Sequence, residues 1–207
     1  VTCQVDLPVT QEYDGFMDAA FLEELIEHKV APEPLIAIQG LLNTHDYERD
    51  EELIGDAASA RVWLAGADLI EEEATVSDEE VRDLIELRKI LRRILESRTK
   101  GDEVDPGLYR DLQLLANKYP AGYDVSDRGE VTLCLKPVET AGELIGQLVG
   151  IVGIAQENDW WERLKICADD DCRWAFYDAS KNRGGTWCRM EVCGNRNKNR
   201  RYRSKTN

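Results

Sequence analysis

The chain has 207 residues, a formal net charge of −15 and 43% hydrophobic residues. That apolar content can bury a core, which excludes a globally disordered chain, and the length suits one ordinary domain plus a small module. The apolar runs fall well short of the roughly 18 residues a membrane span needs, and Val1 to Thr10 lacks the basic start and apolar stretch of a secretory leader, so the expectation is a soluble cytoplasmic protein with no membrane partner.

Residues 1–31 read as an acidic extension with a short amphipathic helix over 16–29, closed by Pro32 and Pro34. The apolar run 34–44 fits a buried strand or a core helix equally well. Residues 51–70 read as one helix or two with Trp63, Leu64 and Leu69 inward, and Glu71, Glu72 and Glu73 as a solvated helix end. Ser77 followed three residues later by Glu80 is a capping-box pattern. Behind it, Val81, Leu84, Leu87, Leu91, Ile94 and Leu95 make the apolar stripe of a helix.

Asp105 and Pro106 suit the cap and first turn of a helix ending near Asn117. Segments 123–125 and 131–135 flank Asp127, Arg128 and Gly129, a hairpin pattern with Cys134 as a small core residue. Thr140 and Glu143 repeat the capping-box pattern before a helix to about Glu157. Its glycines 142, 146, 150 and 153 share one face, which points to close packing rather than a phosphate loop.

The cysteines carry the most chemistry. Four residues separate Cys167 from Cys172, four separate Cys188 from Cys193, and fifteen lie between the pairs. Two short-spaced pairs give two knuckles, and together they offer four thiolates to a tetrahedral zinc ion. With all four positions filled by protein, such a Zn2+ is structural. A segment this short also buries too little to fold well without a metal. Disulfides are the bland alternative, disfavoured in a reducing cytosol, and a zinc-releasing redox sensor is a further one.

Charge changes sign where this segment begins. Residues 160–207 hold 12 Lys/Arg against 6 Asp/Glu, while residues 1–159 hold 14 against 35. The tail contains Arg196, Lys198, Arg200, Arg201, Arg203 and Lys205 with no intervening acid. Such a run neutralises phosphates, and in a helix Arg196, Arg200 and Arg203 would share a face. Asn195, Asn197 and Asn199 suit base edges, or capping. The bland reading is a frayed, solvated terminus.

Cys167-x4-Cys172, Phe176-x-Asp178-x-Ser180, Trp187-Cys188 and Cys193-Gly194-Asn195-Arg196 with Lys198, Arg200 and Arg201 resemble the CGNR zinc finger. Residues 33–155, with Asn43-Thr44 closing the apolar run and Trp63-Leu64 beyond, resemble the ABATE domain that precedes that finger in a family of stress-induced transcription regulators. Thr186 stands where members often carry a basic residue, and Gly40 where many carry an acidic one. The resemblance implies a bacterial, actinobacterial-type DNA-binding regulator. It also suggests Asp178 and Ser180 as caps of a turn between the knuckles, and Arg196 as a phosphate contact or a brace against Asp178.

The expected fold is therefore a mainly α domain with a small β-hairpin element (α+β) over 32–158, followed by a four-cysteine zinc finger with a basic tail over 159–207. The first part would sense a small molecule, with Asn43 and Thr44 as pocket or capping residues, or dimerise. The second would bind DNA, nucleoid-associated, as half of a homodimer. An RNA-binding protein is one alternative. Another is a protein-interaction adaptor, including a basic module docked on the chain's own acidic part. His28 and His45, the only histidines, make no catalytic constellation, and no enzyme activity is expected.

Overall fold

The structure, a computed structural model, describes residues 17–206. Cys3 and the start of the acidic extension lie outside the described residues. Helix α1 (Ala19–Ile26) is capped by Asp18, whose carboxylate accepts the Phe21 N–H at 3.0 Å. It sends Leu22 and Ile26 into the main core, so the acidic segment has an apolar face that belongs to the fold.

Helix α2 (Leu35–Asn43) resolves the ambiguous apolar run: all nine residues are buried, and the helix has no polar face because it lies at the centre. A turn follows, bounded by the two-residue strands β1 (His45–Asp46) and β2 (Glu51–Glu52), paired antiparallel. Helix α3 (Ala57–Gly66) opens with a reciprocal cap between Asp56 and Ser59 and buries Trp63 and Leu64.

Glu71, Glu72 and Glu73 belong to a strand, β3 (Ile70–Thr75), and not to a helix end. Only Ile70 and Ala74 of that strand are buried, so the exposed glutamates hid the alternation that marks a strand. Helix α4 (Asp78–Lys100) runs 23 residues from a complete Ser77–Glu80 capping box to Gly101, a left-handed stop at φ 77°. Its predicted stripe is buried, and so are Arg88 and Arg92.

Helix α5 (Pro106–Lys118) leads to the hairpin β4 (Tyr123–Val125) and β5 (Val131–Leu133), with Val125 opposite Val131. Cys134 follows β5 and is half-buried, not a mid-strand core residue, in a hairpin that leaves Tyr123, Val125 and Val131 exposed. Strand β6 (Val138–Thr140) then pairs parallel with β3, Ile70 facing Val138.

Helix α6 (Ala141–Glu157) starts at Thr140, whose hydroxyl accepts the Glu143 N–H at 3.1 Å. The Glu143 carboxylate reaches the Glu139 N–H instead of returning to Thr140, so the capping box is half formed. Three of the four glycines on that face, Gly142, Gly146 and Gly150, pack tightly as the spacing implies, while Gly153 stands in open space. A Cβ at Gly146 would lie 2.8 Å from the carbonyl oxygens of Tyr119 and Pro120.

The chain ends in the antiparallel ribbon β7 (Leu164–Ile166) and β8 (Ala175–Tyr177), a tight turn over Met190–Gly194, and helix α7 (Asn195–Thr206). Leu164, Ile166 and Ala175 share the main core with the N-terminal helices. No helix among the described residues is long and apolar enough to cross a membrane.

Candidate metal centre and nucleic-acid interface

Cys167 leaves β7 and Cys172 precedes β8, which makes the first knuckle. Cys188 and Cys193 make the second, with Cys193 inside the Met190–Gly194 turn. All four cysteines are buried, and their sulfurs lie within 4.8 Å of one another. Cys172 to Cys188 and Cys188 to Cys193 are each 3.6 Å. Thiolates about 2.3 Å from a tetrahedral zinc sit about 3.8 Å apart, so the donor set fits one ion with every position filled.

The sulfurs by themselves oppose one another's ionisation. Hydrogen bonds from Cys172 and Cys188 hold the Cys167 thiol below its usual range. The bonds given to Cys167 push Cys172 and Cys188 up, and burial raises Cys193. A divalent cation reverses this balance by favouring all four thiolates. Backbone N–H groups of Cys188 and Asp169 also point at the Cys167 sulfur and steady its charge.

Gly194, which follows the last ligand, sits close to its neighbours: a Cβ there would displace the Met190 side chain and lie 3.2 Å from Trp187. Phe176 is fully buried against the cysteines, with Trp174 and Trp187 half-buried beside it. Trp174 Nε1–H donates to the Ile26 carbonyl at 3.4 Å. Phe176 fills the small core around the cysteines, and the two tryptophans pack against it.

Asp178 closes the loop between the knuckles. Burial alone would raise its pKa, but bonds from Lys165 (2.8 Å), Ser180 N–H (3.1 Å) and Gly185 N–H (2.6 Å) hold it well below the usual carboxylate range.

The finger is fixed to the N-terminal helices by polar side chains. Asn43 Nδ2–H donates to the Ala175 carbonyl at 3.1 Å, and its Oδ1 accepts the Ala175 N–H at 2.8 Å. Gln39 adds a bond to the same carbonyl at 3.2 Å. The side chain of Asn43 thus pairs with β8 as a neighbouring strand would. Thr44 Oγ1 donates to Leu41 O and accepts from Arg88, which also binds Glu52. Arg92 donates to the carbonyls of Leu42 and Arg173, and burial lowers its pKa to about 10. Glu96 of α4 binds Arg173 at 2.6 Å. Asn43 and Thr44 therefore both have protein partners, and Asn43 also borders a cleft of about 620 Å³ between α1 and the knuckles.

Helix α7 separates the basic residues into two groups. Arg196 binds Glu48 at 2.7 Å and approaches Asp169 at 3.5 Å. Arg200 binds Asp169 at 3.2 Å and also pairs with Asp171. The brace expected between Arg196 and Asp178 is absent, because Asp178 is occupied by Lys165 and by backbone N–H groups. Lys198, Arg201 and Arg203 are exposed and make no ion pair among the described residues. Asn195 and Asn197 bond the carbonyls of Glu191 and Cys193, each at 3.0 Å, so they cap the turn. Asn199 is exposed. Lys205 lies in the last turn of α7 and its side chain is outside what the structure describes.

The partners that sequence reading missed are Asp169, Asp171, Gln39, Arg92 and Arg173. The signal for the first two was present: the run Ala168-Asp169-Asp170-Asp171 inside the first knuckle is the one acidic cluster in a basic segment.

A two-knuckle, four-cysteine metal module carrying a basic helix, seated on a helical domain, is the class this architecture defines. A family model described as CGNR zinc finger matches residues 163–206. One described as "Putative stress-induced transcription regulator", ABATE, matches residues 37–149, more than half of the chain, and the chain belongs to that family. No curated protein matches it.

Proposed function

We propose that this protein is a zinc-dependent DNA-binding transcription regulator in which α7 grips phosphate and the N-terminal domain supplies an input. The carrying observation is the continuity of α7 with the fourth metal ligand. Cys193 lies in the turn that ends at Gly194, and the helix begins at the next residue. A bound ion therefore fixes the start of a helix that has six Lys/Arg and no acid between Arg196 and Lys205. Twelve residues of helix extend about 18 Å, a length the major groove of B-DNA accommodates.

The rest of the chain is strongly acidic, so attraction to a polyanion is confined to this end. Exposed Asn199, whose amide has no partner among the described residues, is the side chain best placed for a base edge. In this reading residues 32–158 form the input domain and residues 159–207 the output module, in a bacterial cytoplasm. The cleft bordered by Asn43, Glu27, Glu48 and Arg189 touches both parts and is where a small molecule would act on their junction. A homodimer would place two fingers on two half-sites and multiply two weak affinities.

Selection from a randomised duplex DNA library with zinc-loaded protein, beside a chelated control, tests the reading. The expected result is an enriched motif that disappears on chelation, and a repeated motif marks the dimer. No salt-sensitive retention of duplex DNA overturns it. Retention of single-stranded RNA alone replaces DNA with RNA as the partner.

A further inference from the structure

The six basic residues of α7 do not stand in equivalent surroundings. Arg196 and Arg200 are one helical turn apart on the side facing the first knuckle. Both meet Asp169, a carboxylate with 0% exposure two residues after the metal ligand Cys167. Asp171 and Glu48 complete the acidic surround, the latter from the β1–β2 turn of the N-terminal domain. A buried carboxylate is costly without a paired cation, so Asp169 holds both guanidiniums in place. The amide of Asn197 adds a further tie, to the carbonyl of Cys193.

Lys198 and Arg201, three residues apart, project from the other side of α7 into solvent without an ion pair among the described residues. By helical periodicity they lie more than a quarter turn away from the Arg196–Arg200 side.

We propose that α7 is two-sided: Arg196 and Arg200 are positioning residues locked by Asp169, Asp171 and Glu48, and Lys198 and Arg201 are the phosphate contacts. This rests on the nucleic-acid reading above and assigns its residues. It reverses the grouping that spacing alone suggested, in which Arg196, Arg200 and Arg203 form the binding face. An arginine already paired with a carboxylate releases no counterion when DNA arrives, because its charge is neutralised beforehand.

The test is the salt dependence of binding to duplex DNA by the zinc-loaded full chain. Metal content is verified for every variant. Lys198→Ala and Arg201→Ala should each make the slope of log K against log salt shallower by about 0.9, the value for one lost phosphate contact. The paired change Arg200→Gln with Asp171→Asn keeps net charge constant and should leave the slope within about 0.3 of wild type. Asp169→Asn, which removes the buried carboxylate that both arginines meet, should speed amide hydrogen exchange along α7.

Two results overturn the proposal: a slope that falls by about 0.9 in the Arg200→Gln/Asp171→Asn protein, or one unmoved by Lys198→Ala and Arg201→Ala together. If the wild type binds no DNA at all, the proposed function falls, and the contact assignment with it. Hydrogen exchange still decides the lock, since unaltered protection of α7 in Asp169→Asn refutes it independently.

Discussion

Asn43→Ala gives the sharpest test of how the finger is held. The wild-type side chain makes two bonds to one buried residue, Ala175, which has 0% exposure. After the substitution the Ala175 carbonyl keeps Gln39 at 3.2 Å, but its N–H has no remaining partner. A buried donor left unpaired costs about 1–3 kcal/mol, and the lost bond to the carbonyl adds about 1 kcal/mol. The total is about 2–4 kcal/mol. With a urea slope of about 2–3 kcal/mol/M, the unfolding midpoint should fall by about 1 M. Free zinc must be fixed in the titration, because metal binding contributes to apparent stability by mass action. Asn43→Asp should be at least as damaging, since it keeps the acceptor but sets a carboxylate against the Ala175 carbonyl. A loss below about 0.5 kcal/mol for Asn43→Ala, the range of neutral surface changes, would refute the claim that this side chain serves as β8's neighbouring strand.

Chelation should melt the knuckles and α7 while leaving the N-terminal helices folded, read as a partial loss of far-ultraviolet helical signal; Cys193→Ser should reproduce it, whereas Cys134→Ser should retain one zinc per chain. Gly146→Ala should destabilise by about 1–3 kcal/mol through overpacking, because its Cβ meets backbone oxygens at 2.8 Å. Gly153→Ala on the same helix meets nothing within 4 Å and should stabilise by up to about 1 kcal/mol in thermal unfolding. Glu52 is subject to burial, which acts to raise its pKa, yet the bond and charge of Arg88 bring it below its usual value of 4.5. Its stabilisation is therefore fully present above pH 4.5 and is lost as pH falls through the lower folded value. Glu52→Gln should be less stable than wild type at neutral pH, with the gap closing below that point; measuring the difference at each pH cancels the acid release of metal common to both.

Helix starts and the metal site were legible because each depends on residues close in the chain. Ser77 with Glu80, Asp105 with Pro106, and the paired cysteines satisfy their chemistry locally. The α4 stripe was legible because its period is set by the helix itself. The half-formed box at Thr140 marks the limit of such reading, since Glu143 had a second N–H within reach at Glu139.

What the sequence by itself determined was a four-thiolate metal module fused to a basic tail behind a mainly helical, acidic domain. Only the tertiary structure decided how those parts are used. Strand β3 exists because β6, more than sixty residues later, supplies its hydrogen bonds. Within the apolar run 34–44, Leu35–Asn43 became a helix that needs no polar face because it is buried on all sides. Asn43 became part of the finger's sheet edge because α2 ends against β8. On α7, Asp169 and Glu48 chose which arginines are spent inside the molecule. Charge pairing of that kind is set by distance in space: the acidic run 169–171 is visible in the sequence, but which arginines it meets is not.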